Sequence, residues 1–208
     1  IRGNVLYFGV PVISALLGEA YIGLISIAIV ALVPMYNVVS VVVLEKYAGG
    51  QGDVKRLVKQ LAKNPLIIAA VLGMLMVGLK ITVPDLIMSS LRSVSKATTP
   101  TALILLGAAI ELSFTKENLK LVMSTTVIKL IVIPIIILSA AIMVGLTREE
   151  IVTMFAVFAA PTAVASYSLA REMNADYDLS AQIVFMTTLS AVMTIFVGTV
   201  ILQWLHIV

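Results

Sequence analysis

Apolar residues along this chain fall into long runs rather than the short alternating or one-faced patterns of a soluble fold. Between polar breaks, seven runs stand out, at residues 3–18, 20–44, 64–81, 98–113, 118–145, 149–171 and 178–205. Crossing the hydrocarbon layer takes roughly 20 residues of helix, so each reads as a membrane span. Two further stretches are one-sided. In 53–63, Val54, Leu57, Val58 and Leu61 share one helical face while Lys55, Arg56, Lys59 and Lys63 share the other. The stretch 84–96 repeats the arrangement with Leu86, Ile87, Leu91 and Val94. Both predict helices lying at the membrane interface, with a solvated connector as the alternative for the first.

Composition agrees with an all-α membrane protein. Hydrophobic residues make up 61% of the 208 and charged residues 12%, where a soluble domain carries about a quarter charged. Mean hydropathy is +1.12. The absence of cysteine excludes disulfides and thiolate metal sites. Phosphate-binding Gly-x-x-x-x-Gly-Lys loops, zinc spacings and serine-histidine-acid arrangements are missing, so ATP-driven transport and hydrolase chemistry lack support, and no enzyme activity, cofactor or metal is expected. The net charge of +3 is small. Its lysines sit mainly in loops, where they orient spans rather than bind nucleic acid.

With the 45–63 loop placed in the cytoplasm, Arg2, Lys46, Lys55, Arg56, Lys59, Lys63, Lys116, Lys120 and Arg171 fall inside, and Lys80, Arg92, Lys96 and Arg148 outside. Nine against four supports that orientation, with the C-terminus outside. Trp204 and the single histidine, His206, then lie at the outer interface as anchors.

Pro11 and Pro161 interrupt apolar runs, in Gly9-Val10-Pro11-Val12 and Ala159-Ala160-Pro161-Thr162, and each is followed by a further long run, Tyr21 to Leu44 and Leu179 to Leu202. Proline removes a helical hydrogen bond and clashes with the preceding turn, so both places predict broken helices. The two spans run in opposite directions across the membrane, as an inverted repeat requires. Two unrelated proline kinks are the alternative.

At these residues the chain resembles the auxin efflux carrier family of secondary transporters, which includes plant auxin exporters and bacterial malate or malonate permeases. Asn4-Val5-Leu6-Tyr7-Phe8-Gly9-Val10-Pro11-Val12 is similar to the family's Asn-x-x-x-x-Gly-aliphatic-Pro-aliphatic segment. Ala159-Ala160-Pro161 leading to Tyr167-Ser168-Leu169-Ala170-Arg171-Glu172-Met173-Asn174 looks like its second proline-containing span. Lys129 with Pro134, and Pro100 with Gly107, also fall where the family tends to place such residues.

The resemblance implies an inverted-repeat transporter with a bile acid/sodium symporter-like fold, of which this chain carries the last seven of about ten spans. Ile1 in place of Met and the absence of a signal-peptide n-region fit a missing N-terminal part. The implied domains are residues 1–45 as the end of the first repeat, 46–63 as a cytoplasmic loop, 64–113 as scaffold helices and 114–208 as transport-domain helices. The two broken helices cross in the transport domain beside the substrate. The resemblance also carries proton or sodium coupling and a homodimer as expectations.

The residues at the crossing suit an anion. Half-helix N-termini receive a carboxylate. Asn4 offers an amide donor two turns before Pro11, and the hydroxyls of Thr162 and Ser166 lie one turn apart on one face. Gly9, Pro11 and Pro161 complete this candidate substrate site. In the family the matching Asn is implicated in contacting the substrate carboxylate, and that role carries to Asn4. Helix capping is the alternative for Asn4, as is back-bonding to their own helix for the two hydroxyls.

Lys129 is the charge deepest in a predicted span, a candidate for coupling, with an interhelical pair with a carboxylate or a snorkelling side chain as the alternatives. Asn37 and Gln182, in the runs after the broken helices, are candidate linings, and Asn37 is equally placed to bond backbone freed by Pro34. Glu45, Glu111 and Glu172 sit near span ends as solvated residues. Gly73, Gly78 and Gly107 suggest close helix packing.

The expected function is secondary transport of a small organic anion, a dicarboxylate or auxin-like carboxylate, by alternating access. The short 45–63 loop looks more like bacterial members than long-loop plant exporters, placing the chain in a bacterial cytoplasmic membrane. A channel or a ligand-binding membrane sensor without active transport remains the alternative.

Overall fold

Prolines, glycines and capping side chains divide the apolar runs into helices. The computed structural model describes residues 2–47, 65–109 and 116–207. A π-helical turn at Val5–Gly9 leads into α1 (Val10–Leu16), and a 3-10 turn at Glu19–Tyr21 into α2 (Ile22–Tyr47). Next come α3 (Pro65–Gly78), α4 (Asp85–Ala109) and α5 (Lys116–Val127). A second π-helical turn, Ile128–Val132, joins α5 to α6 (Ile133–Val144). The chain continues through α7 (Arg148–Phe158) and α8 (Ala165–Glu172) to α9 (Tyr177–Trp204).

The helix ends follow local chemistry. Gly145, at φ +77°, closes α6 in the left-handed conformation that glycine adopts without strain. Two residues later Thr147 and Glu150 form a capping box that starts α7: the Thr147 N–H donates to Glu150 Oε2 at 2.8 Å and the Glu150 N–H to Thr147 Oγ1 at 3.4 Å. Asp176 caps α9 by accepting from the Leu179 N–H at 2.9 Å.

Among the described residues, three helices are long and apolar enough to cross a membrane: Glu19–Leu44, Asn118–Val144 and Tyr177–Trp204. The chain is an integral, multi-pass, all-α membrane protein. Its outer faces are apolar, with Ile27, Met143 and Met193 exposed, as lipid-facing helices require. Inside, Val5, Ile13, Ile25, Val152, Ala156 and Val157 bind the first π turn, α1 and α2 to α7. Ala141, Ile151, Phe155, Ala159 and Leu202 bind α6 and α9 to the other side of α7. Helix α7 is therefore the central post of the bundle.

Several expectations change. The interface helix expected at 84–96 and the span expected from 98 are one helix, α4, which continues through Pro100. The amphipathic stretch at 53–63 and Glu111 lie outside the described residues. Pro11 does not break its helix. Helical structure runs from Val5 to Leu16, and Pro11 is exposed at the second position of α1. The π turn explains this: its longer register, with the Val10 N–H donating to the Val5 carbonyl, leads into the proline, whose missing N–H then costs little. Pro134 follows the second π turn in the same way.

The close helix contacts also fall elsewhere. A Cβ on Gly73, Gly78 or Gly107 would meet nothing within 4 Å, whereas one on Gly9 would lie 2.8 Å from Ile25 Cδ1 and 3.0 Å from the Ala156 carbonyl. One on Gly198 would lie 2.6 Å from the Phe155 ring.

Candidate functional site: a crossing of two interrupted segments

Between α7 and α8, residues 159–164 leave the helix, and Arg2, Gly3 and Asn4, also outside helix, lie beside them. Gly3 and Thr162 form an antiparallel bridge. The Asn4 N–H donates to the Pro161 carbonyl at 2.7 Å and the Ala163 N–H to the Arg2 carbonyl at 2.8 Å. The two segments thus cross at Gly3 and Thr162, eight residues upstream of Pro11 on the first arm. Gly3 fits closely there: a Cβ would sit 3.3 Å from the Val157 carbonyl, which would have to yield slightly, and in ordinary contact at 3.5 Å with Lys129 Nζ.

Interrupting a helix at membrane depth orphans backbone groups, and each needs a partner. In an unbroken helix the Thr162 N–H would donate to the Phe158 carbonyl. Here it donates to Thr187 Oγ1 at 3.1 Å, and Thr187 donates onward to the Ile183 carbonyl at 2.8 Å. The Phe158 carbonyl accepts instead from Lys129 Nζ at 2.9 Å. Lys129, 3% exposed, therefore pairs with a backbone carbonyl at the end of α7, where a cation also complements the helix dipole. The second π turn, of which Lys129 is the second residue, carries it.

The backbone at the break is thus largely supplied by protein. Five buried side-chain atoms have no hydrogen-bond partner: Thr162 Oγ1, Ser166 Oγ, Arg2 Nη1, Asn37 Oδ1 and Gln182 Oε1. The first three residues line one cavity of about 660 Å³ between the crossing, α2, α8 and the start of α9. Its remaining wall is mostly apolar, with Ser40, Asn174, Asp176 and Ser180 as polar members.

The residues expected at the site divide accordingly. Asn4 and Pro161 meet at the crossing, and Thr162 and Ser166 line its cavity, which Asn4 does not. Gly9 packs against α7, and Pro11 faces outward. Asn37 and Gln182 are buried on α2 and α9 but do not line the cavity. Glu172 is exposed. Two residues were not expected. Arg2, counted in the sequence as an inside-loop charge, is 9% exposed at the crossing; its place directly before the run 3–18, two residues from Asn4, was the available signal. Thr187 had none, being one hydroxyl among several in the run 178–205.

The family described as membrane transport protein matches residues 1–199. The chain is similar to an uncharacterized transporter, MJ1031, of Methanocaldococcus jannaschii, with 25% identity over 199 residues. The match covers 93% of this chain and 63% of that relative's length. No solved structure matches.

Proposed function

The chain belongs to the membrane transport protein family, and from that membership we propose that it is part of a secondary active carrier for a small organic anion. Binding takes place at the crossing, and alternating access moves the segment pair 1–45 and 114–208 against scaffold helices at 64–113. The observation that carries the reading is the unpartnered pair of hydroxyls, Thr162 Oγ1 and Ser166 Oγ, at a cavity beside the Gly3–Thr162 bridge. Buried hydroxyls without partners cost free energy, so a site of this kind is completed by a polar ligand. Interrupted helices meeting at mid-membrane are also where secondary transporters hold substrate.

In this reading Asn4 supplies an amide to the substrate carboxylate, and Lys129 keeps the end of α7 in place instead of carrying a coupling ion. Coupling to protons or sodium, a homodimer and a bacterial cytoplasmic membrane complete the proposal. Uptake into vesicles containing the complete protein tests it. Saturable flux of a carboxylate supports a carrier, flux that never saturates points to a channel, and binding without flux points to a sensor.

A further inference from the structure

We propose that the Tyr7 phenol is a latch: its bond to the Ser95 carbonyl ties the crossing to α4, holds the carrier in one of its two access states and opens for the other. The inference rests on the carrier reading and adds the residue that sets the balance between its states. Tyr7 Oη donates to the Ser95 carbonyl at 2.8 Å, across 88 positions of the chain. Ser95 lies inside α4, in the segment assigned to the scaffold. Tyr7 lies within the first π turn and is tied to the crossing on both sides. Before it, the Asn4 N–H donates to the Pro161 carbonyl at 2.7 Å, and the Phe8 N–H donates back to the Asn4 carbonyl at 3.1 Å. After it, Gly9 packs without room for a Cβ against Ile25 of α2 and the Ala156 carbonyl of α7. The phenol therefore travels with the crossing while its acceptor travels with α4.

Displacement of one body against the other affects this bond more sharply than the apolar contacts around it. Helix α4 also lies against α9. Apolar side chains exchange such contacts gradually, whereas a hydrogen bond weakens steeply once its distance and angle are lost. Tyr7 is half-buried in an apolar run, where a released phenol finds little water to replace its acceptor. The neighbouring serines of α4 leave the Ser95 carbonyl to Tyr7: Ser89 and Ser90 donate to the Leu86 carbonyl, and Ser93 to that of Ser89. Tyr7 does not line the cavity, so the latch acts on the balance of states and not through substrate contact.

The experiment uses the complete protein in phosphatidylcholine vesicles, with a reporter cysteine placed by Ser40→Cys on the α2 wall of the cavity. The 208 residues contain no cysteine of their own, and any elsewhere in the protein is replaced by serine. Labelling by a membrane-impermeant maleimide, compared between right-side-out and inside-out vesicles, reads which way the cavity faces. Tyr7→Phe keeps the ring and removes the donor. It should shift the ratio of labelling from the two sides about two- to tenfold toward the side disfavoured with Tyr7 in place, the scale of one hydrogen bond in an equilibrium. A second variant, Tyr7→Cys with Ser95→Cys and without the reporter, is joined by a reducible bis-methanethiosulfonate linker. Saturable carboxylate flux should stop while the pair is linked and return with reductant, which a folding defect cannot imitate. An unchanged labelling ratio in Tyr7→Phe, or undiminished flux through the linked pair, overturns the latch while leaving the carrier intact. A Tyr7-dependent ratio in a protein without saturable flux supports the latch and sinks the carrier, leaving a sensor that switches between two states.

Discussion

Lys129 donates to the carbonyl of Phe158 at 2.9 Å, taking the bond that the Thr162 N–H would make if α7 continued. Thr162 in turn donates to Thr187. The two groups released by one broken helical bond thus acquire partners from two other helical segments, the second π turn and α9. The break at Pro161 is held open from both sides, and the first arm enters through the bond from the Asn4 N–H to the Pro161 carbonyl.

Removing the ammonium should therefore destabilise the fold at the break. Lys129→Met leaves the Phe158 carbonyl without its donor, a loss of about 1–3 kcal/mol, offset in part because a buried charge is also removed. The expected outcome is a lower melting temperature with the pH dependence of transport unchanged. A flattened pH profile at an unchanged melting temperature would instead make Lys129 a coupling residue.

Thr187→Val tests the other half of the same break. The substitution is close in shape but leaves the Thr162 N–H without its acceptor, at a cost of about 1–3 kcal/mol for a buried donor. Because Thr162 is both bridge and cavity wall, stability and substrate affinity should fall together. Thermal unfolding and half-saturation, measured on the same preparation, check this.

At Asn4 the backbone and the side chain have separate jobs. Asn4→Ala keeps the N–H that bonds Pro161 and removes only the amide. Substrate affinity should fall about tenfold, the scale of one lost hydrogen bond to a charged group, with little change in melting temperature. Unchanged affinity would remove Asn4 from the site.

The membrane class, the long spans at 20–44, 118–145 and 178–205 and the break at Pro161 were legible because they depend on apolar run length and on proline's missing N–H, both local properties. The place of the first break was not legible. Pro11 and Pro161 look equivalent in sequence, but a π turn precedes Pro11 and leaves it inside a helix, while the actual break lies at Gly3 and Asn4. The partners of a break are long-range facts. Nothing local in Thr187 says that it lies beside Thr162, and nothing local in Arg2 says that it is buried rather than in a loop. Gly107 and Gly9 likewise differ only in what stands opposite them.

Gly9 should be intolerant of any side chain. A Cβ there would stand 2.8 Å from Ile25 Cδ1 and 3.0 Å from the Ala156 carbonyl. The isoleucine tip can rotate away, but the carbonyl belongs to α7 and can move only with that helix. Gly9→Ala should cost about 1–3 kcal/mol as overpacking, visible as a lowered melting temperature. Gly107→Ala, with open space around the site, should leave stability within about 0.5 kcal/mol or raise it slightly through helix propensity.

The two prolines should respond differently to the same substitution. Pro11 is exposed, follows a π turn that already accommodates it, and lies in unbroken helix. Pro11→Ala restores an N–H there, and stability should change by less than about 1 kcal/mol, with substrate affinity retained. Pro161 is fully buried, and its carbonyl accepts from Asn4 at the crossing. Pro161→Ala allows α7 to extend: the restored N–H can reach the Val157 carbonyl, and Thr162 can return to Phe158, competing with Thr187 and Lys129. Affinity should then fall more than stability. Measuring thermal unfolding and half-saturation for both variants checks the difference; equal losses at Pro11 and Pro161 would place the break that matters at Pro11 after all.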